Sequence, residues 1–160
     1  DEAFSALDPL IRTDMQDVLL DLQQELHKTI IFITHDLDEA LRIGDNIAIL
    51  RDGCMVQHGN SQQIVMTPAD DYVTDFIQHI NRARVLQVGS IMQGEVLAKG
   101  PQVDVTTAIE EAMQQLRLAS ASTASVTQHG KAVGTITMDQ MIAAIARPEA
   151  KAQAGGATYF

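Results

Sequence analysis

The sequence predicts an α/β chain organised in two unequal units, and three observations carry that prediction. An unbroken, β-branched run, Thr29-Ile30-Ile31-Phe32-Ile33-Thr34, lies between two segments of helical periodicity. That is the pattern of a strand buried on both faces of a parallel sheet. Two short apolar runs joined by Asp52-Gly53 have the spacing of a tight β-hairpin, and two more that read as strands lie around His129-Gly130-Lys131. The charge is lopsided: residues 1–80 hold 15 acids and 4 bases, whereas residues 81–160 hold 6 acids and 7 bases. Halves with different electrostatics suggest different structural units.

Each element has a local reason. Asp8 can cap free N–H groups and Pro9 suits the first helical position. Ile11, Met15, Val18, Leu19, Leu22 and Leu26 then fall on a helical stripe, opposite the solvated acids Asp14, Asp17, Asp21 and Glu25. The apolar run 29–34 ends at His35. Asp36 to Glu39 has capping-box spacing with Asp as the cap, so a short helix, Leu37 to Ile43, is expected to stop at Gly44. Residues 46–51 and 54–59 read as a hairpin turning at Asp52-Gly53. Short helices are expected over Ser61–Met66 and over Pro68–Ile80, the latter with Tyr72, Val73, Phe76 and Ile77 on one face.

Residues 81–102, punctuated by Gly89, Gly94, Gly100 and Pro101, read as a linker with at most a short helix or strand. Thr106 or Thr107 is expected to cap a helix reaching about Ala119, with Ile109, Ala112, Met113 and Leu116 as its stripe. Thr123–Gln128 and Ala132–Met138 read as strands. Asp139 is expected to cap a last helix, Gln140 to Ala146, with Pro148 ending it. The Ala/Gly-rich residues 147–160 read as a flexible tail. The domain reading is therefore 1–80, a linker over 81–102, a second module over 103–146, and the tail.

Composition excludes several classes. The chain has 160 residues, 46% of them apolar and 20% charged, which is normal for a globular protein. No apolar run approaches the roughly 20 residues that span a bilayer. The opening Asp1-Glu2 lacks the charged and apolar regions of a signal peptide. A net charge of −10 argues against nucleic acid as a partner, since that needs a basic footprint. Cys54 is alone, so neither an internal disulfide nor a Cys-based zinc cluster can form. Cys54 reads as a packing residue. His27, His58, His79 and His129 show no ligand spacing and read as surface or loop residues. The methionines at helical spacing read as core.

Four features could carry chemistry: Asp1-Glu2, Ser5-Ala6-Leu7-Asp8, His35 and the Asp52-Gly53 hairpin. Functional groups of α/β sheets gather at the carboxyl ends of strands, and His35 has that placement by pattern. The series Asp1-Glu2-Ala3-Phe4-Ser5-Ala6-Leu7-Asp8-Pro9, followed by Ile33-Thr34-His35-Asp36, resembles the second half of an ABC-transporter nucleotide-binding domain. The wording of residues 4–12 and 35–45 is most similar to ATPase subunits of glycine betaine/proline importers. Residues 103–146 resemble one of the cystathionine-β-synthase-type (CBS) regulatory modules carried by such subunits.

The resemblance implies an α/β fold made of the C-terminal half of a P-loop ABC ATPase domain followed by a CBS-like α+β module. It implies that Asp1 is the Walker B aspartate, holding Mg²⁺ through water. Glu2 polarises the attacking water, and His35 contacts the γ-phosphate. Ser5 to Asp8 form the D-loop, with Ser5 and Asp8 at the nucleotide, facing the other ATPase subunit. The implied cofactors are ATP and Mg²⁺. The implied partners are a second ATPase subunit, a membrane permease and a substrate-binding protein, at the cytoplasmic face of the inner membrane.

The sequence contains no G-x-x-x-x-G-K-[ST] phosphate cradle and no Ser-Gly-Gly-Gln signature. The expectation is therefore a fragment that begins inside Walker B, holds one CBS module of the usual two, and is inactive alone. An apolar run 29–34 without both sheet neighbours is expected to promote self-association or partial folding. Asp38, Glu39 and Asp45 read as solvated surface, with a permease contact as the alternative. Arg82, Arg84, Lys99, Lys131 and Arg147 are candidates for an electrostatic surface. Two other readings are a regulatory module that senses nucleotide or ionic strength on a passive ATPase remnant, and a soluble ABC ATPase without a transporter.

Overall fold

The computed structural model describes Phe4, residues 7–94 and residues 100–146. Helix α1 (Pro9–Leu26) starts where Asp8 accepts a hydrogen bond from the Leu10 N–H at 3.0 Å, with Pro9 in the first turn. It ends at His27, whose left-handed φ of 52° lets its N–H close on the Gln23 carbonyl. The face α1 buries is not the expected stripe. Ile11, Met15, Val18, Leu22 and Leu26 are all exposed, and Gln16 is the buried residue of the helix. The helix docks through polar side chains one stripe over. Arg12 pairs with Asp36, Gln16 and Asp17 receive Arg42, and Gln23 donates to Asp45.

The run 29–34 is a second correction: it forms no strand. It keeps a two-residue alternation, with Ile31 and Ile33 exposed and Phe32 and Thr34 half-buried. Phe32 rests on Phe4, ring centres 5.5 Å apart. A strand needs ladder partners, and no strand among the described residues pairs with this run.

Helix α2 (Leu37–Ile43) follows, capped by Asp36 through the Glu39 N–H. The reciprocal half of a capping box is missing, because the Glu39 carboxylate is used elsewhere. The helix stops at Gly44 as expected, although Gly44 has an ordinary extended φ of −82°. A Cβ there would lie 2.9 Å from the Ala40 carbonyl, so close packing explains this glycine. Strands β1 (Ile47–Arg51) and β2 (Cys54–Gly59) pair antiparallel. Asp52 and Gly53 both have positive φ, 52° and 77°, as a type I′ turn requires. Cys54 is exposed rather than packed.

Helix α3 (Ser61–Met66) has a full capping box between Asn60 and Gln63 and buries Ile64 and Val65. Helix α4 (Asp71–Ile77) is shorter than expected, because Asp70 caps it and Pro68 stays outside. It buries Val73 and Ile77 and leaves Phe76 stacked on Tyr72, with Arg51 over the Tyr72 ring at 4.7 Å. Met141 is the fully buried methionine of the core, whereas Met15, Met55 and Met66 are exposed.

Residues 82–94 hold helix α5 (Arg82–Val85) and a 3₁₀ turn, Val88–Ser90. Leu86 and Val88 are fully buried in the same apolar cluster as Ile64, Ile109 and Met141. The last module runs β3 (Gln102–Asp104), α6 (Ile109–Leu118), β4 (Thr123–Gln128), β5 (Lys131–Thr137) and α7 (Met138–Ile145). Its three strands lie in the order β3-β4-β5, β3 parallel and β5 antiparallel to β4. Helix α6 buries Ile109, Ala112 and Leu116, three of the four expected positions.

Its cap is a correction. Ala108 occupies the cap position without a side-chain bond, and Thr106 instead bonds Asp104 through both its N–H and its hydroxyl. The cap of α7 is also corrected, to Thr137, which makes a capping box with Gln140. Gly134 is required by packing: a Cβ there would run into the Gln93 carbonyl, where residues 93 and 135 exchange backbone bonds. The expected ending at Pro148 and the tail lie outside the described residues.

Candidate functional site

Of the residues assigned roles by motif, Asp1, Glu2 and Ser5 lie outside the described residues. Asp8 and His35 are described. Asp8 is exposed and serves as the α1 cap. His35 is exposed at the end of the extended run, and both of its neighbours are held. The Thr34 hydroxyl accepts from the Asp36 N–H at 3.0 Å and donates to the Glu39 carboxylate at 2.8 Å. Asp36 in turn caps α2 at the Glu39 N–H. The backbone that carries the imidazole is thus fixed by three hydrogen bonds within six residues.

Glu39 corrects the solvated reading given to it, since only 5% of it is exposed. A buried carboxylate needs compensation. Thr34 supplies one hydrogen bond, and Arg12 faces its other oxygen at 3.6 Å. The Arg12 guanidinium also donates to Asp36 at 3.4 Å and to the Leu7 carbonyl at 3.4 Å. One side chain therefore links the segment before α1 to the turn after residue 34. Sequence reading missed Arg12, Thr34 and Glu39 as a unit. Their signal was present: an arginine one turn inside a helix and off its apolar stripe, and an acid three residues after a cap.

The four histidines read as surface or loop residues are exposed. Arg82 is not part of a basic surface. It donates to the Val65 carbonyl at 3.0 Å and the Ala144 carbonyl at 3.1 Å, and burial pushes its pKa below the ordinary arginine value. Arg84 pairs with Glu110 at 2.9 Å, both exposed. Lys99 and Arg147 lie outside the described residues. Among the described residues no group of three or more His, Cys, Asp or Glu could hold a metal ion, and no helix is long and apolar enough to cross a membrane.

No family model matches the chain. Individual relatives are clear. The glycine betaine transport ATP-binding protein OpuAA of Bacillus subtilis is 55% identical over 109 residues, 66% of this chain and 26% of that protein. The glycine betaine/proline betaine transport system ATP-binding protein ProV of Salmonella typhimurium is 40% identical over 153 residues, 93% of this chain and 37% of its own length. The trimethylamine N-oxide transport system ATP-binding protein TmoW of Ruegeria pomeroyi is 43% identical over 136 residues, 85% of this chain and 40% of that protein. This chain thus spans less than half the length of these relatives. Over most of its length the chain is similar to transport ATP-binding proteins named for glycine betaine, proline betaine and trimethylamine N-oxide.

Proposed function

We propose that the chain is part of the ATP-hydrolysing subunit that powers import of a compatible solute of the glycine betaine/proline type. The observation that carries this is the exposed His35 on a hydrogen-bonded turn, within a chain similar over 93% of its length to the betaine transport ATP-binding protein ProV. Phosphoryl transfer needs positioning and charge compensation more than covalent help. Mg²⁺-bound ATP supplies the phosphoanhydride to be cleaved. In this reading Asp1 holds Mg²⁺ through water, Glu2 polarises the attacking water, and the His35 imidazole donates to a γ-phosphate oxygen. Ser5 and Asp8 belong to the loop that meets a second ATPase subunit.

Of these residues, His35 has a chemistry that suits the contact, since an imidazole N–H can donate to a phosphate oxygen. His35 is exposed. Residues 1–80 would be the C-terminal part of the nucleotide-binding domain, working with a permease and a substrate-binding protein at the cytoplasmic face of the membrane. The 160-residue chain alone, lacking a phosphate cradle, is expected to be inactive. In the complete subunit, Glu2→Gln is expected to abolish most MgATP hydrolysis while ATP still binds. Unchanged turnover in that variant would overturn the role given to Glu2.

A second reading is favoured by the element order of the last module, β-α-β-β-α on a mixed three-stranded sheet. This order supports a CBS-like regulatory role that senses nucleotide or ionic strength. Adenine-nucleotide binding to this chain that needs no Mg²⁺ and survives Asp1→Ala would favour it.

A further inference from the structure

We propose that Arg12 is a positioning residue for ATP hydrolysis, acting as a clamp between the loop that precedes α1 and the turn that carries His35. This inference rests on the reading of His35 as the γ-phosphate contact.

The geometry is specific. Arg12 sits one turn into α1, and its three guanidinium nitrogens are directed to three different places. Nη2 donates to the Leu7 carbonyl, Nη1 to Asp36 Oδ2, and Nε faces Glu39 Oε1. Leu7 lies between Ser5 and Asp8, and Asp36 follows His35 directly. Glu39 holds Thr34, the residue before His35. The clamp therefore takes hold of the nucleotide-facing loop at one end and of both neighbours of His35 at the other. A planar guanidinium fixes direction as well as distance, which a lysine ammonium on a flexible stem does not.

The burial supports a purpose beyond surface pairing. Glu39 is almost fully buried and Arg12 is about a quarter exposed, at 5% and 27% of the side chain. Removing one partner of such a pair leaves the other charge without compensation. The apolar stripe of α1 is exposed, so apolar packing does not fix the helix against the His35 turn. Besides Phe4 on Phe32, the described contacts between the two ends are polar, and Arg12 is the one of these that reaches Leu7.

The clamp is tested in the complete ATP-binding subunit with Arg12→Gln, Arg12→Lys and the exposed control Arg84→Gln. Misplacing a reacting group by about 1 Å can cost on the order of 100-fold in rate. Arg12→Gln is expected to lower kcat by about 10- to 100-fold with KM for ATP within about twofold. Arg12→Lys should recover part of the loss, and Arg84→Gln should cost nothing. A kcat no lower than that of the control, or a loss carried wholly by KM, would overturn the clamp.

His35→Ala separates this inference from the reading beneath it. Loss of hydrolysis in His35→Ala with normal turnover in Arg12→Gln would leave the His35 role standing and reject the clamp. Normal hydrolysis in His35→Ala would reject that role and, with it, the catalytic purpose of the clamp. The physical link is read independently in this chain by amide chemical shifts. Arg12→Gln should move the signals of both Leu7 and Asp36, and a shift confined to one of them would reject the link.

Discussion

Residues 7–45 and residues 102–146 are similar in length, and each pairs helices with extended segments, but they are held together differently. The first region buries Gln16, Glu39 and Leu41 and exposes Leu10, Ile11, Val18, Ile30, Ile31 and Ile33. Its contacts are ion pairs and side-chain hydrogen bonds between α1 and the His35 turn. The second buries Val103, Ile109, Ala112, Leu116, Ala124, Val126, Ile136 and Met141 around a paired sheet. Apolar burial is non-directional and supplies most of the stability. Hydrogen bonds add little net stability but set geometry. Of the residues proposed to carry chemistry, Asp8 and His35 lie in the region held by polar contacts, and apolar burial is concentrated in the other region.

The largest expected effect separates the two regions directly. Leu116 is fully buried, so Leu116→Ala should cost about 2–5 kcal/mol. Ile31 is 87% exposed, so Ile31→Ala should change stability by less than about 0.5 kcal/mol. Urea denaturation followed by circular dichroism measures both. Similar losses from the two changes would mean that the apolar run 29–34 is packed in solution, and the contrast would fail.

An intermediate effect is expected at the seam. Arg82 joins the last turn of α3 to the last turn of α7 through two backbone carbonyls. Hydrogen bonds from a charged donor are worth about 1.5–3 kcal/mol, and Arg82→Ala should cost about that much. Hydrogen exchange should show α3 and α7 both losing amide protection while β4 keeps its own. Unaltered protection at both helix ends would mean that the buried Leu86 and Val88 hold the seam without Arg82.

What the sequence made legible follows the same division. The Asp52-Gly53 hairpin, α3 and β4 were readable because their causes are local: a two-residue turn, a capping residue, a period-two pattern. The strand expected at 29–34 failed because a strand is made by its neighbours, and no described strand pairs with it. The α1 stripe was read correctly as a stripe and wrongly as the buried face. Periodicity tells which residues share a face, but the partner surface decides which face is covered. The caps of α6 and α7 were misplaced by two residues or less, since Thr106 had a closer partner in Asp104 and Thr137 a better one in Gln140. At the candidate site, His35 was singled out from its place after an apolar run. The Arg12–Glu39 pair was not, because its two residues are 27 positions apart and only the folded chain brings them together.

The smallest expected effect lies in the stable region and is purely polar. The Thr106 N–H, and after it the Thr106 hydroxyl, bond the Asp104 carboxylate and hold its pKa below the usual carboxylate value, with a minor contribution from His129. Both bonds favour the charged form. A carboxyl depressed in the folded state contributes stability above its unfolded-state pKa, and that contribution is lost as pH falls through the lower folded value. Thr106→Val removes the hydroxyl bond and keeps the backbone one, so the Asp104 pKa should rise partway toward the usual value. A carboxyl carbon NMR titration of Asp104 in the two proteins reads the difference. No rise in the variant would mean that the backbone N–H alone holds the carboxylate. A full return to the usual value would mean that the loop opens without the hydroxyl, which would extend positioning by polar contacts into a region otherwise governed by its core.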